Sequence, residues 1–341
     1  MLSIIYATVM QVRNRLFDWG VLRQQSYDVP IVGVGNLAVG GTGKTPHVEW
    51  LLRAFPELRT AVLSRGYGRN THGFRLVDAT ASASEVGDEP LQIKMKFPAS
   101  TVCVCEKRVV GMNRLLDLGA APQLVVLDDN LQHRYVRAGL QLLLTQYMRP
   151  YSKDCVMPRG RLRERASGAA RADIIVVTKC PESLSDFEKE QILESLVPLP
   201  HQKVLFSTMV YGQMHPFQDN SPFEQPQLKG KRVLLVTGVA NTDSIFLRIS
   251  GLGAVVDHMR YGDHHRFTTK DVERINARAE TADYVITTEK DAMRMLELRH
   301  AFSDQMLRKT FVQPIEVKFI GDGEQILRDE IGRLIHKQKN M

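Results

Sequence analysis

The chain has 341 residues, enough for two domains or one large α/β domain with additions. Hydrophobic residues make up 43% and charged residues 24%, which excludes a disordered chain and calls for a packed core. The net charge of +7 points to an acidic partner, and composition alone does not choose among nucleic acid, anionic lipid and a phosphorylated substrate.

The chain opens MLSIIYATVMQVRNRLFDWG, with an apolar run of about ten residues before Arg13 and Arg15 interrupt it. A membrane span needs roughly 20 apolar residues, so this is not a transmembrane helix. No small-residue cleavage site follows, which argues against a secretory signal. Leu2, Ile5, Val9, Val12, Leu16 and Trp19 recur at helical spacing, with Arg13, Asn14 and Asp18 on other faces. That periodicity fits a helix lying in a membrane interface and equally one docked on the protein's own core.

Next come a short apolar strand, PIVGVGN, the turn AVGGTGKT, and a helix from about Pro46 to Phe55. Phosphate loops read G-x-x-x-x-G-K-[ST]. Glycines Gly40, Gly41 and Gly43, with Thr42 among them, let backbone N–H groups approach phosphates, and the following helix adds its positive end. Lys44 would reach the β and γ phosphates and the Thr45 hydroxyl would bind Mg²⁺. Ala38 replaces the first glycine, a small change where φ > 0 is not required. The strand before and the helix after supply the expected context.

The runs TAVLSRGYGR, TVCVC, QLVVLDD, LQLLL and ADIIVVTK follow, separated by helical patterns. That alternation predicts an α/β fold with a parallel sheet covered on both faces. Asp128 and Asp129 end one such strand, where a Walker-B acid holds Mg²⁺ and where open sheets bind ligands. Adjacent carboxylates there call for a cation or hydrogen bonds. His133 follows four residues later and reads as a site residue or a surface histidine. Asp88 and Glu89, in VGDEP, read by themselves as a solvated turn. The stretch MPRGRLRERASGAAR gathers Arg159, Arg161, Arg163, Arg165 and Arg171, guanidinium forks that suit phosphate or simply face solvent. It lacks interleaved aromatics, so a nucleic-acid platform is not favoured. Cys103, Cys105, Cys155 and Cys180 show no CxxC or zinc spacing and read as buried free thiols.

A polar, proline-bearing connector spans about 212–227. A second α/β series starts at KRVLLVTGVAN and runs through AVVDHMRY, a helix begun by Thr268 or Thr269, and DYVITTEKDA. KVLFSTMV and PIEVKF flank this series and are placed to pair as a two-stranded link, and EQILRDEIGRLIHKQ reads as a terminal amphipathic helix. In YGDHHRF, His264 and His265 stand beside Asp263 and are able to act as acid or base near neutral pH.

The ordered set GNLAVGGTGKTP, LSRGYGR, GDEP, DDNLQHR, PRGRLRE, DHHRF and TTEKDA, from about Arg13 to Asp291, resembles the tetraacyldisaccharide 4′-kinase (lipid A 4′-kinase) family. The resemblance implies ATP- and Mg²⁺-dependent phosphorylation of the 4′-hydroxyl of a tetraacylated glucosamine disaccharide 1-phosphate. It implies work at the cytoplasmic face of a bacterial inner membrane, with no nucleic acid and no obligate protein partner. It also implies an N-terminal membrane-associating helix over 1–25, a P-loop kinase core over 26–210, a smaller α/β domain over 211–312, and a returning strand and helix over 313–341. Asp88 matches the family's proposed base and His264 its dyad partner. Glu89, Asp128 and Asp129, with Thr45, match groups around metal and phosphates, and His133 and Arg163 match further active-site positions. Departures are DDNLQH for the frequent DDGFQH, Arg165 for a proline, and Tyr261-Gly262 for Phe-Pro, and these bear on loop shape and lipid fit. The rival reading is a membrane-associated regulatory P-loop ATPase without a lipid substrate. Such proteins often carry a lysine before the glycine pair, where this chain has Val39. A GTPase would want an Asn-Lys-x-Asp guanine reader, and ITTEKD lacks the Asn.

Overall fold

The structure, a computed structural model, describes residues 2–217 and 223–339. The chain opens with helix α1 (Leu2–Asp18) and enters its first sheet at β1 (Ile31–Asn36), followed by α2 (Lys44–Ala54) and β2 (Thr60–Ser64). Then come β3 (Arg75–Val77), α3 (Ala83–Val86), α4 (Asp88–Lys96), β4 (Thr101–Val104), α5 (Arg108–Leu116), β5 (Leu124–Asp128) and β6 (Leu140–Gln146). The strand β7 (Ile174–Thr178), α6 (Asp186–Leu196) and β8 (Lys203–Tyr211) complete this part. The second series contains β9 (His215–Pro216), β10 (Arg232–Thr237), α7 (Asp243–Gly251), β11 (Val255–Arg260), α8 (Thr269–Ala279), β12 (Tyr284–Thr288), α9 (Glu289–Leu296), α10 (Asp304–Arg308) and β13 (Thr310–Gln313). The chain then returns through β14 (Ile315–Phe319) and α11 (Gly323–Lys339).

Among the described residues the strands form a nine-stranded sheet, β14-β8-β7-β6-β1-β5-β2-β4-β3, and a five-stranded one, β11-β10-β12-β13-β9. From β8 to β4 every pairing in the large sheet is parallel, and only the edge strands β14 and β3 run antiparallel. Strand β1 is buried along its whole length, so its apolar residues need no alternation. Val32 and Val34 face α2, α4 and α11 through Leu51, Leu91 and Ile331, while Ile31 faces α5 through Met112 and Leu115. In the small sheet β10 works the same way, with Leu234 toward α8 and α9 and Leu235 toward α7. Met293, on α9, packs against both the large and the small core.

KVLFSTMV and PIEVKF do pair, antiparallel from Ile315 opposite Tyr211 to Phe319 opposite Ser207. They are the edge of the large sheet rather than a free-standing ribbon. Thr268, not Thr269, caps α8, its hydroxyl accepting from the Asp271 amide. Strand β13 was not expected from the sequence, since TFVQ is too short to show a period. The connector reading at 212–227 falls partly on 218–222, outside the described residues. Cys103, Cys105 and Cys180 are buried free thiols, whereas Cys155 is free but exposed, because it lies in the loop between β6 and β7.

Helix α1 divides its faces sharply. Leu2, Ile5, Val9, Val12 and Trp19 are exposed, while Phe17 is buried against Tyr135 with ring centroids 5.0 Å apart. The polar face is hydrogen-bonded to the body of the protein. Arg13 donates to the Gln132 carbonyl (3.0 Å), Asn14 donates to Glu164 Oε2 (2.6 Å), and Arg134 donates to the Asn14 carbonyl (2.9 Å) and Asp18 (2.8 Å). Glu164 is 1% exposed and also accepts from Gln132 (2.9 Å) and Arg171 (2.7 Å). Replacing it leaves three donors without their acceptor in a largely dry site. Glu164→Ala is therefore expected to lower unfolding free energy by about 2–3 kcal/mol in urea titrations. A loss under about 0.5 kcal/mol would mean that this carboxylate does not hold α1.

Candidate active site

The phosphate-loop residues join the carboxyl end of β1 to α2, at the centre of the parallel array. Gly40 (φ 100°) and Gly43 (φ 89°) adopt the left-handed conformations that bend the loop. A Cβ on Gly40 would also lie 2.4 Å from Arg161 Nη2. Ala38 is absent from the positive-φ residues, so its methyl group fits the loop backbone. The loop is braced from below. Asn36 Nδ2 donates to Thr42 Oγ1 (2.8 Å), Thr178 Oγ1 donates to the Thr42 carbonyl (2.9 Å), and Arg161 donates to the Val39 carbonyl (2.8 Å). His47 Nδ1 donates to the Gly43 carbonyl (2.8 Å), and burial lowers its pKa to about 4, so the ring is neutral.

Asp128 and Asp129 end the neighbouring strand β5 with different surroundings. Asp128 is 3% exposed; Ser64 Oγ donates to its Oδ2 (2.9 Å), and its Oδ1 is buried with no partner. Burial, then the negative charges of Glu89 and Asp129, push its pKa up to about 6. Asp129 sits at φ 51°, a strained conformation for this residue. Arg163 Nη1 reaches both its oxygens (2.7 and 2.8 Å), and Lys44 Nζ lies 3.5 Å away. Burial works against ionisation, but Lys44 and Arg163 outweigh it and hold this carboxyl below its usual range. His133 packs in the same loop. Burial and then the field of Arg108 and Arg65 lower its pKa to about 4, so it is neutral at pH 7.

Asp88 and Glu89 are not a solvated turn. They form the first turn of α4, entered through Gly87 (φ 94°), and Asp88 is 9% exposed. Arg294, from α9, binds Asp88 Oδ2 through Nη2 and Nε (the latter 3.1 Å) and donates to Asp291 Oδ1 (3.1 Å). His264 Nδ1 lies 3.6 Å from Asp88 Oδ2 and 3.2 Å from Arg294 Nη2. His264 itself is held at φ 57°, its amide donating to the Gly238 carbonyl (3.1 Å). Burial alone would raise the Asp88 pKa, but His264, Arg294 and Lys290 outweigh it and hold the carboxyl well below the usual range. The pairing with Asp88 raises the His264 pKa in turn. Glu89 is ion-paired with Lys290, also from α9, and lies within the field of Lys44. Through Glu89 the two halves of the site share one electrostatic neighbourhood.

Four residues of this site went unrecognised in the sequence. Ser64 lies in the run LSRGYGR but was given no role, and Arg108, whose Nη2 donates to the Asp128 carbonyl (2.5 Å), lies outside every motif named above. Lys290 and Arg294 carried one signal: four-residue spacing places both on one helical face. The arginine-rich loop splits in function. Arg161 and Arg163 face the phosphate loop and Asp129, Arg171 binds Glu164, and Arg159 and Arg165 are exposed.

A parallel sheet with a glycine turn ahead of a helix at its central strand, and a buried acid at the tip of the next strand, defines a P-loop kinase fold. The chain matches the model of the LpxK family, described as tetraacyldisaccharide-1-P 4′-kinase, over residues 1–334. It is 38% identical to a tetraacyldisaccharide 4′-kinase of Phocaeicola vulgatus over 98% of this chain and 94% of that one. It is 41% identical to one of Bacteroides fragilis over 93% and 87%. A solved LpxK of Aquifex aeolicus, described as an apo form in complex with ATP, superposes with a TM-score of 0.76. That pair is 27% identical and covers 98% of this chain and 97% of the other. The chain belongs to the tetraacyldisaccharide-1-P 4′-kinase family, and it is a phosphotransferase acting on a hydroxyl group.

The raised pKa of Asp128 carries a stability prediction. A carboxyl whose folded pKa exceeds its unfolded value destabilises the fold while ionised, and that penalty disappears as pH falls through the folded value toward the unfolded one. Asp128→Asn is expected to stabilise the nucleotide-free protein at pH 7 by about 1–3 kcal/mol, at roughly 1.4 kcal/mol per pKa unit. The advantage fades between about pH 6 and pH 4. Urea unfolding at pH 7 and pH 4.5 checks this, and a destabilised variant at pH 7 would overturn it.

Proposed function

We propose a division of labour for the reaction that family membership gives this chain, ATP-dependent phosphorylation of the 4′-hydroxyl of a tetraacylated glucosamine disaccharide 1-phosphate in lipid A synthesis. The observation that carries the assignment is the convergence of Asp88 and His264, 3.6 Å apart though 176 positions separate them, with the adjacent Glu89 in the field of Lys44. The backbone of Gly40, Gly41, Thr42 and Gly43 and the first turn of α2 hold the phosphates of ATP, and Lys44 neutralises charge on the transferred group.

The residues around Asp128 fit Mg²⁺. Its Oδ1 is a buried anionic oxygen with no partner, and the Thr45 hydroxyl lies just past the loop lysine. Among the described residues no three His, Cys, Asp or Glu side chains form a preformed cage. That matches a metal held by one or two protein oxygens plus phosphates and water. Thr45 and Asp128 would hold the metal directly, while Glu89 and Asp129, already ion-paired, would serve the surrounding layer. When bound, Mg²⁺ neutralises charge on the β- and γ-phosphate oxygens.

Asp88 orients the 4′-hydroxyl and takes its proton as the new O–P bond forms and the bond to the ADP oxygen breaks. A carboxylate held at low pKa is a weak base at rest. That suffices here, because phosphoryl transfer asks mainly for positioning and the hydroxyl becomes acidic only as its oxygen bonds to phosphorus. His264 keeps the carboxylate ionised and relays the proton. Arg294 is a positioning residue. It occupies Asp88 Oδ2, while Oδ1 takes the Glu89 amide (3.0 Å) and retains a lone pair for the substrate. Because Asp88 and Arg294 lie in different α/β series, we assign residues 26–210 to ATP and residues 211–312 to completing the acceptor side.

Lys44→Ala, Asp88→Ala and His264→Ala are each expected to lower turnover by at least about 100-fold. The assay is transfer of label from [γ-³²P]ATP to tetraacyl disaccharide 1-phosphate in detergent. A wild-type rate in any one removes that residue from the assignment. Arg294→Met is expected to raise the Asp88 pKa, so the acid limb of kcat/KM moves to higher pH. An unmoved limb would make Arg294 merely structural.

The exposed apolar stripe of α1 is the membrane contact in this reading, at the cytoplasmic face of the bacterial inner membrane. No helix among the described residues is long and apolar enough to cross a membrane. An in-plane helix with basic neighbours such as Arg15 and Arg159 suits an anionic surface instead. The double variant Ile5→Glu, Val9→Glu is expected to lower co-sedimentation with phosphatidylglycerol-containing vesicles at least about tenfold. Undiminished sedimentation would place the membrane contact elsewhere.

A further inference from the structure

Lys179 has no place in the chemistry above, yet the fold delivers it to the phosphate loop. It follows the last residue of β7, at the same sheet end as the loop and two strands away from β1. The residue before it, Thr178, is tied to the loop through the Thr42 carbonyl (2.9 Å) and to β6 through the Thr145 carbonyl (3.2 Å). Lys179 itself adopts φ 58°, a left-handed conformation that a lysine rarely takes. The bend directs the side chain over the glycine turn, so that Nζ lies 3.8 Å from where a Cβ on Gly41 would stand.

The ammonium has no carboxylate within ion-pair distance among the described residues. Its charged neighbours are Arg161 and Lys290, both positive, and the residue is exposed, so an incoming anion can reach it. Lys44 is matched with Asp129, Lys290 with Glu89 and Arg163 with Asp129, while Arg161 is turned to the Val39 carbonyl. An exposed cation held in strained backbone beside Gly41, next to other cations and with no carboxylate of its own among the described residues, is placed to meet an anion arriving at the loop.

We propose that Lys179 is a second nucleotide-binding lysine, which closes over the phosphate tail of ATP from the β7 side while Lys44 approaches from the β5 side. The inference rests on the reading that Gly40–Thr45 hold ATP. It assigns β7 a part in nucleotide affinity that the loop motif by itself does not supply. A lysine is suited to this, being a mobile point charge that can follow the phosphates.

The test uses Lys179→Gly in the full chain. Glycine is at ease at positive φ, so the variant removes the ammonium and relieves the backbone. Lys179→Arg keeps the charge. Calorimetric titration of ATP, ADP and inorganic tripolyphosphate into wild type and both variants reads the effect. Expected is a rise in Kd of at least about tenfold for all three ligands in Lys179→Gly, with a Tm no lower than wild type and most of the affinity kept in Lys179→Arg. The KM for ATP rises in step. Kd values within twofold of wild type overturn the proposal, as does a loss seen with ATP but not with tripolyphosphate, which would move the contact to the nucleoside. Failure of the wild type to bind ATP would instead sink the reading of the loop, and this proposal with it.

Discussion

One half-buried cation sets the geometry of the site. Lys96 closes α4, and its ammonium lies 2.6 Å from Glu49 on α2 and 2.6 Å from Glu289 at the start of α9. Glu289 also accepts the Ile315 amide where the chain returns to the large sheet (3.1 Å), and Gln92 donates to Glu49 (2.7 Å). Those three helices carry the site residues: Lys44 and Thr45 at the first turn of α2, Asp88 and Glu89 at the first turn of α4, and Lys290 and Arg294 one turn apart on α9. A single ammonium thus fixes the spacing of three helices. Two carboxylates share it, so burial and then Glu289 raise the Glu49 pKa to about 7. A buried arrangement of this kind is a weak source of net stability, because desolvation offsets much of the attraction. Its value lies in orientation, since losing the cation would leave the buried Glu49 and the half-buried Glu289 facing each other.

With the helices fixed, identical side chains take opposite properties. Asp88 and Asp128 are both buried acids of one site. Asp88 meets Arg294 and His264 and stays ionised, whereas Asp128 meets Ser64, Glu89 and Asp129 and rises toward neutrality. The first suits a group that must accept a proton at pH 7 without first losing one. The second suits a group whose ionisation is completed by an incoming cation. Asp129, Lys179 and His264 are held at positive φ, at a cost on the order of 1–3 kcal/mol each, and all three border the site. The fold accepts strain there because β5, β7 and the Gly238 carbonyl leave those residues little choice of position.

The sheet was legible in the sequence wherever strands were fully buried. Runs such as IVGVGN and IIVVT have no polar face to confuse the reading, and the glycine turn announces its own backbone. The phosphate-loop end of the site was legible for the same reason: consecutive residues make it. Asp88 was different. Read locally, GDEP is a polar turn, and only an arginine 206 positions away buries and ionises it. Family resemblance named Asp88 and His264 without showing what holds them together. Arg294 and Lys290 could not be identified from spacing alone, because salt partners across two α/β series leave no periodic trace. The first helix was read as interfacial or docked, and its faces explain the ambiguity. The apolar stripe seen in the sequence is the exposed one, and docking runs through Arg13, Asn14 and Phe17.

That division has a consequence for how the exposed apolar stripe of α1 and the nucleotide site are joined. Strand β5 ends in Asp128, and the loop after it carries Asp129 and, a few residues on, the groups that grip α1: the Gln132 carbonyl holds Arg13, and Arg134 holds Asn14 and Asp18. Gln132 also donates to the Asn36 carbonyl at the base of the phosphate loop (3.0 Å) and accepts from Arg163, the residue that fixes Asp129. So α1 is not tethered by a flexible linker. It is hydrogen-bonded to the segment that positions the acids, through contacts mostly shorter than 3.0 Å. An acyl-chain substrate cannot leave its bilayer far behind, because each buried methylene contributes about 0.8 kcal/mol to staying there. A rigid mount holds the site acids at a fixed distance from such a substrate, and it accounts for a buried glutamate, Glu164, that holds a helix whose outer apolar residues are exposed among the described residues.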